Sequence, residues 1–314
     1  MSEEIKKTRS KKYEIPKEKI EIDLIEEEEE EEEEEKNHPL LIRFILIIGF
    51  IFIVFCIYSF IICPNLLKVR EYKVESSRLP ESFEGIKIVQ FADIHYGTTI
   101  NKKQLDKIVK KINEVKPDII FFTGDLIDKN IVPTEEIQNE IVESLSNLEA
   151  SLYKYAVIGN EDDSETFNKL MEKANFRILN NEKVLLYYKG ITPILISGFN
   201  NIDSNPDYSS LSEQIDEMDS STLYHIVVFH ESNAIDSVLD YNPDLVLSSG
   251  TLGGRINIFK PLFLPSTTNK YYNEHYHLNN TDLYVSNGLG TTGVNIRFNN
   301  VPSFNLYRLY KEEN

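Results

Sequence analysis

Ile86-Lys-Ile-Val-Gln-Phe-Ala-Asp-Ile-His95 holds the reading of the fold in ten residues. Its first six positions are apolar and β-branched enough to be a buried strand. Polar side chains then follow at once, at the carboxyl end, where α/β sheets collect their ligands. Asp93 and His95, two apart after a strand, can both enter one cleft and bind a divalent cation there.

Outward from this stretch the chain alternates. Lys103–Val115 has helical spacing (Leu105, Ile108, Val109, Ile112), and Asp118-Ile-Ile-Phe-Phe122 is a second apolar strand. Thr134–Leu148 predicts a helix, Tyr155–Ile158 a strand and Glu165–Ala174 a helix. This rhythm predicts crossover units around a largely parallel sheet. Beyond them Lys183–Tyr188 and Thr192–Ser197 flank a turn at Lys189-Gly190. Further strands are expected at His225–Phe229, Asp244–Leu247, Leu283–Ser286 and Phe304–Leu309. The expected class is α/β, with two sheets, each backed by helices.

Three more strands end in residues that suit a metal. Thr123-Gly-Asp-Leu-Ile-Asp128 offers Asp125, whose two oxygens can bridge two ions. Ile158-Gly-Asn-Glu-Asp162 offers the Asn160 carbonyl, and Val228-Phe-His-Glu-Ser232 offers His230. A lone strand-end Asp or His is commonly structural, so the order and spacing of the set carry the signal.

With these motifs the chain resembles the calcineurin-like metallophosphoesterases, most closely the membrane-associated single-domain bacterial type. The resemblance covers roughly residues 72–310, including Leu283-Tyr-Val-Ser-Asn-Gly-Leu-Gly-Thr-Thr-Gly293 and Ile296-Arg-Phe298. It implies a four-layer α-β-β-α sandwich that hydrolyses phosphoesters with two divalent ions (Mn, Fe, Zn or Mg), which clamp the attacking and leaving oxygens. Carried over, Asp93 and His95 would hold one metal, Asp125 would bridge, and Asn160 and His230 would hold the other. The family's next residue after the asparagine is a histidine that protonates the leaving group; here it is Glu161. The family's GHTHGGQ motif reads Ser249-Gly-Thr-Leu-Gly-Gly-Arg255, so Gly250 and Leu252 stand where imidazoles would bind.

These departures lower the expectation of activity. A carboxylate at its ordinary pKa of about 4.3 donates no proton at neutral pH and repels a phosphate. Reduced metal occupancy and weak or absent hydrolysis are expected. One rearrangement keeps a working site: Glu161 turns inward as a replacement ligand for a single hard cation beside Asp93, Asp125 and Asn160. A modified phosphodiesterase acting on a lipid or envelope phosphoester, and a purely structural tethered domain, are the alternatives. His275 and His277 are minor candidates as substitute ligands, and His225, opening a strand, reads as structural.

Ahead of the globular part, residues 1–38 read as a disordered acidic tail with unbroken glutamate from Glu26 to Glu35. Residues 40–63 are almost wholly apolar, long enough to cross a ~30 Å hydrocarbon core, and end without a small-residue cleavage site. A retained single-pass membrane helix is expected, followed by a phosphoesterase domain at 72–314. Basic residues flank both ends, which leaves the orientation open. The lipid bilayer is thus an expected partner, together with a phosphorylated small molecule or lipid. A formal charge of −18 without a Lys/Arg cluster argues against nucleic acid. The two cysteines, Cys56 and Cys63, both fall in the apolar run.

Overall fold

The computed structural model describes residues 39–200, 222–265 and 270–312. The expected acidic tail therefore lies outside the described residues. The chain divides into two compact units, residues 1–56 and 57–314. Helix α1 (Pro39–Asn65, 27 residues) is long and apolar enough to cross a membrane. Its side chains from Leu40 to Val54 are exposed. It ends in a π turn over Tyr58–Ile62 and a 3-10 turn over Cys63–Asn65.

Among the described residues the second unit is a sandwich of two six-stranded sheets. The first contains β1 (Lys68–Ser76), β2 (Lys87–Phe91), β3 (Ile119–Phe122), β4 (Tyr153–Ala156), β5 (Arg177–Ile178) and β14 (Ser303–Lys311), in the order β1-β14-β2-β3-β4-β5. From β2 to β5 neighbours are parallel, while β14 runs antiparallel to β2 and parallel to β1. The second contains β6 (Glu182–Leu186), β7 (Ile194–Gly198), β8 (His225–Glu231), β9 (Leu245–Ser249), β12 (His275–Leu278) and β13 (Thr281–Val285). Its order is β12-β13-β9-β8-β7-β6, with a parallel centre and antiparallel edges. A short ribbon, β10 (Ile256–Asn257) with β11 (Pro261–Leu262), stands apart.

Alternation along each strand sorts the side chains into two faces. Ile88, Ile119, Phe121 and Tyr155 of the first sheet meet Ile196, Ile226, Val228, Leu245 and Leu247 of the second, all buried. Their neighbours Val89, Phe91, Ile120 and Phe122 face outward and pack under α2 (Lys102–Glu114), α3 (Glu135–Ser146) and α4 (Ser164–Lys173). Those helices start where they do because Asn101, Thr134 and Asp163 each accept a hydrogen bond from a first-turn backbone N–H.

The outer face of the second sheet is covered differently. Among the described residues, Val227, Phe229, Val246 and Val285 lie under 3-10 turns at Ser232–Ser237 and Leu239–Tyr241, with Tyr271 beside them. Only residues 232–244 connect β8 to β9, close to the shortest parallel crossover, so tight turns replace a full helix. The four-layer order holds, with this layer built from turns. β1 was not among the expected strands; as an edge strand it has one fully buried side chain, Val74, and no apolar run to betray it. Asp244 ties its end to the second sheet, accepting from Ser76 Oγ at 2.6 Å and pairing with Arg78 at 2.8 Å.

Candidate metal centre

The carboxyl ends of β2, β3, β4, β8 and β9 bring Asp93, Asp125, Glu161, His230 and Gly250 to one rim. Backbone bonds lock these loops together: Asp93 N–H donates to Gly124 O (2.9 Å) and His95 N–H to Asp125 O (3.2 Å). Asp93, His95 and Asp125 hold left-handed backbones, with φ of 54°, 44° and 59°. Such conformations cost of order 1–3 kcal/mol each and persist where surrounding structure imposes them, commonly at functional sites. Here the cross-loop bonds do the imposing.

Among the described residues two groups of side chains converge closely enough for a metal, Asp93/Asp125/His230 and His95/Asp125/Glu161. Asp125 belongs to both. His230 Nε2 lies 3.3 Å from Asp125 Oδ2 and 4.0 Å from Asp93 Oδ1. His95 Nε2 lies 3.8 Å from Asp125 Oδ2, and its Nδ1 3.5 Å from Glu161 Oε2. Both Asp93 oxygens, His230 Nε2, His95 Nδ1 and Glu161 Oε2 are buried without a hydrogen-bond partner. Orphaned buried polar atoms are expensive, and a shared cation is the partner that satisfies all of them. The residues therefore fit a divalent metal.

The imidazole of His230 is oriented for this. Its Nδ1 lies 2.6 Å from Thr123 O, so that nitrogen carries the proton and Nε2 faces the carboxylates. Ser249 Oγ donates to the same carbonyl at 2.6 Å. The electrostatics agree. Burial raises the pKa of Asp93, opposed by His230 and reinforced by Asp125. Burial also works to raise Asp125, but His230 and His95 outweigh it and hold that carboxyl down. Burial pulls His230 down, yet Asp125 and Asp93 win and drive it well up. Without a metal, then, a proton on His230 serves as the compensating charge between two carboxylates.

Asp162 is the residue sequence reasoning missed. Its carboxylate accepts from the backbone N–H of Asp125 (2.8 Å), Leu126 (2.7 Å) and Gly159 (2.9 Å), stapling the β3 and β4 loops into register. Lys129 was missed as well; its Nζ meets Glu161 Oε1 at 2.7 Å. Asn160 sits on the exposed turn after Gly159, and the side chain turned toward His95 belongs to Glu161. Arg255 is half-buried at the same rim; burial lowers its pKa while Glu161 and Asp128 push it back.

Leu252 is buried and Gly250 partly so, and both have positive φ (52° and 75°). A Cβ on Gly250 would sit 2.9 Å from His230 Nε2, so an imidazole there requires the His230 ring to move. His275 and His277 lie elsewhere, each with a ring nitrogen 2.9 Å from Asp282 Oδ1. His225 is fully buried against Ser197 Oγ at 2.8 Å.

A sequence model of the calcineurin-like phosphoesterase family matches residues 86–254, from the start of β2 to the loop after β9. The chain belongs to that family. Among calcineurin-like relatives, the metallophosphoesterase YkuE of Bacillus subtilis is 30% identical over 253 residues, spanning 78% of this chain and 86% of its own length. A transmembrane protein with metallophosphoesterase domain from Danio rerio is 26% identical over 257 residues, 78% of this chain and 57% of that one. Of solved structures, GAP50, the anchor in the inner membrane complex of Plasmodium, overlays with a TM-score of 0.42 at 12% identity, covering 70% of this chain and 80% of that one.

Proposed function

We propose that this chain is a single-pass membrane protein whose metallophosphoesterase centre has been rebuilt around Glu161, so that it binds divalent metal and phosphoesters but hydrolyses them slowly. The observation carrying this reading is that Asp125 belongs to two groups of ligand side chains, in which Asp93, His230, His95 and Glu161 each have a buried atom without a hydrogen-bond partner. Such an arrangement is difficult to maintain in a fold with no use for a cation.

A bound ion would supply charge to polarise a phosphoryl oxygen and acidify water. Asp93, Asp125 and His230 would form the enclosed part of its site, with His95 and Glu161 at the rim. Glu161 contributes a carboxylate where the family places an acid. Its charge, partly offset by Lys129 at 2.7 Å, opposes both phosphate approach and leaving-group protonation. Lys129 and Arg255 give the rim two cations for an anionic headgroup. A cleft of about 150 Å³ beside Glu161, lined also by Asp128, Lys129, Asp162 and Phe167, is small next to a ligand pocket of ~300–1,000 Å³. It has room for a phosphoryl-sized group and not for a whole large substrate.

The test is calorimetric titration of the full chain in detergent with Mn²⁺, Zn²⁺ and Mg²⁺, followed by turnover of bis(p-nitrophenyl) phosphate. Saturable metal binding that Asp125→Asn abolishes, with slow turnover, is the expected result. Absence of binding at millimolar metal would overturn the reading. Glu161→His should raise turnover per bound metal by about 10²-fold or more, the usual contribution of a positioned acid.

A further inference from the structure

The ribbon β10–β11 presents an apolar surface to solvent. Ile258, Phe259, Leu262 and Phe263 are 54%, 101%, 37% and 66% exposed, and Val294 nearby in sequence to its docking segment is 58% exposed. Burying one such side chain is worth ~1.5–3 kcal/mol, so several together on one two-stranded ribbon call for a partner.

What the ribbon is fastened to identifies the partner. Ile256 bridges Phe298, with Asn257 N–H donating to Phe298 O and Phe298 N–H to Arg255 O, both at 2.9 Å. The Phe298 ring packs edge-on against Tyr58 of α1, at 5.6 Å between centroids. The π turn contributes a second tie. Cys63 N–H bonds back to Tyr58 O, the i−5 carbonyl, which leaves Ser59 O free to accept from Arg297 N–H at 3.0 Å. Tyr58 lies seven residues before Asn65, the end of α1, which at ~1.5 Å per residue is ~10 Å back into the apolar run. Phe60, Ile61 and Ile62 around it are exposed. The ribbon's base is thus tied to the apolar residues at the end of α1.

We infer that the β10–β11 ribbon dips into the interfacial layer of the same bilayer that α1 crosses, giving the domain a second membrane attachment. The inference rests on reading α1 as a membrane span. Lys260, set between Phe259 and Pro261 at the ribbon turn, is placed to meet lipid phosphates, while the aromatic rings enter the acyl boundary.

The attachment also orients the site. The ribbon grows directly from the loop Gly250–Arg255, and Arg255 N–H donates to Leu262 O at 2.9 Å. β1 enters the first sheet with Lys68 opposite Ser303, next to the end of β2 that leads to Asp93. Stem, ribbon and metal centre therefore share one end of the sandwich.

The chain contains no tryptophan, so single substitutions report their own surroundings. Full-length protein is placed in phosphatidylcholine–phosphatidylglycerol nanodiscs with and without lipids spin-labelled at shallow and deep acyl positions. Phe259→Trp should show blue-shifted emission quenched most strongly by the shallow label. Ile191→Trp, 94% exposed on the turn between β6 and β7 at the opposite end of the sandwich, should stay unquenched. Phe52→Trp reports on α1 alone and should be quenched by the deep label. If Phe52→Trp is quenched while Phe259→Trp emits as in water, the ribbon proposal is overturned and the span remains. If Phe52→Trp is itself unquenched, the span reading fails and takes the ribbon proposal with it.

Discussion

Lowering the pH should destabilise this domain through His225, by an amount the structure allows to be worked out. The imidazole is fully buried at the start of β8, its Nδ1 has no partner, and Nε2 meets only the Ser197 hydroxyl. Burial, helped by Arg78 and Lys183, lowers its pKa to about 3. Unfolded, it titrates near 6.5. The folded state thus resists protonation while the unfolded chain accepts it. His225 imposes no penalty above pH 6.5, and stability is lost as pH falls from there toward 3. At pH 5 the loss is ~1.4 kcal/mol for each of the ~1.5 units below the unfolded pKa, about 2 kcal/mol. The result is insensitive to the folded value as long as that stays below about 4, because the unfolded state sets the linkage. The assay is urea unfolding of the full chain in nonionic detergent, followed by circular dichroism at pH 7.5 and pH 5, for wild type and His225→Gln. Subtracting the variant cancels the other titrating groups. Wild type should lose about 2 kcal/mol more than the variant between the two pH values. Parallel losses would refute the reasoning, since they would mean that His225 is protonated in the fold or reaches water.

Three further outcomes follow from the site. Glu161→Gln, which keeps shape but removes charge, should weaken Mn²⁺ binding about tenfold or more by calorimetry, as loss of a ligand must exceed loss of its supporting contacts. Gly288→Ala should destabilise by about 2–4 kcal/mol in urea and weaken metal binding, because φ is +66° and the new Cβ would stand 2.7 Å from Asp93 Cβ. Arg297→Met should cost about 3–5 kcal/mol, measured the same way, and Arg297→Lys should not rescue it. This fully buried guanidinium donates to the carbonyls of Asn287, Gly288, Gly290 and Asn300, holding the loop that packs on Asp93.

The central strands and the three described helices α2, α3 and α4 were legible because their signal is local. Ile86–Phe91 and Asp118–Phe122 are buried on both faces and so read as apolar runs. The helices carry an apolar stripe and a capping residue. β1 was not legible, since an edge strand with one buried side chain has little pattern and its pairing partner β14 lies more than two hundred residues away. Among site residues, Asp93, His95, Asp125 and His230 could be nominated from strand-end position alone. Asp162 could not, because its role is to accept three backbone N–H groups from two loops, and backbone donors leave no mark in the sequence. Arg297 was quoted in a motif without a role; composition places arginine at the surface, and only the convergence of four carbonyls explains its burial.

By itself, then, the amino-acid sequence determined the apolar helix and the order of strands and helices, which rest on length and periodicity. The expected metal ligands, and the reading of Glu161, Gly250 and Leu252 as standing where histidines would be, came from the resemblance to the calcineurin-like family. Tertiary structure decided between readings the sequence left open: Glu161 faces inward toward His95, and Asp125, expected as the bridge, lies in both ligand groups; it also showed that His230 stands where a residue-250 side chain would intrude. It also joined the apolar ribbon, through Phe298, to Tyr58 near the end of the apolar helix. The physical reason is common to all four: they depend on which loops the sheets bring together, and contact across that sequence distance is set by packing and by strand register, which no local stretch encodes.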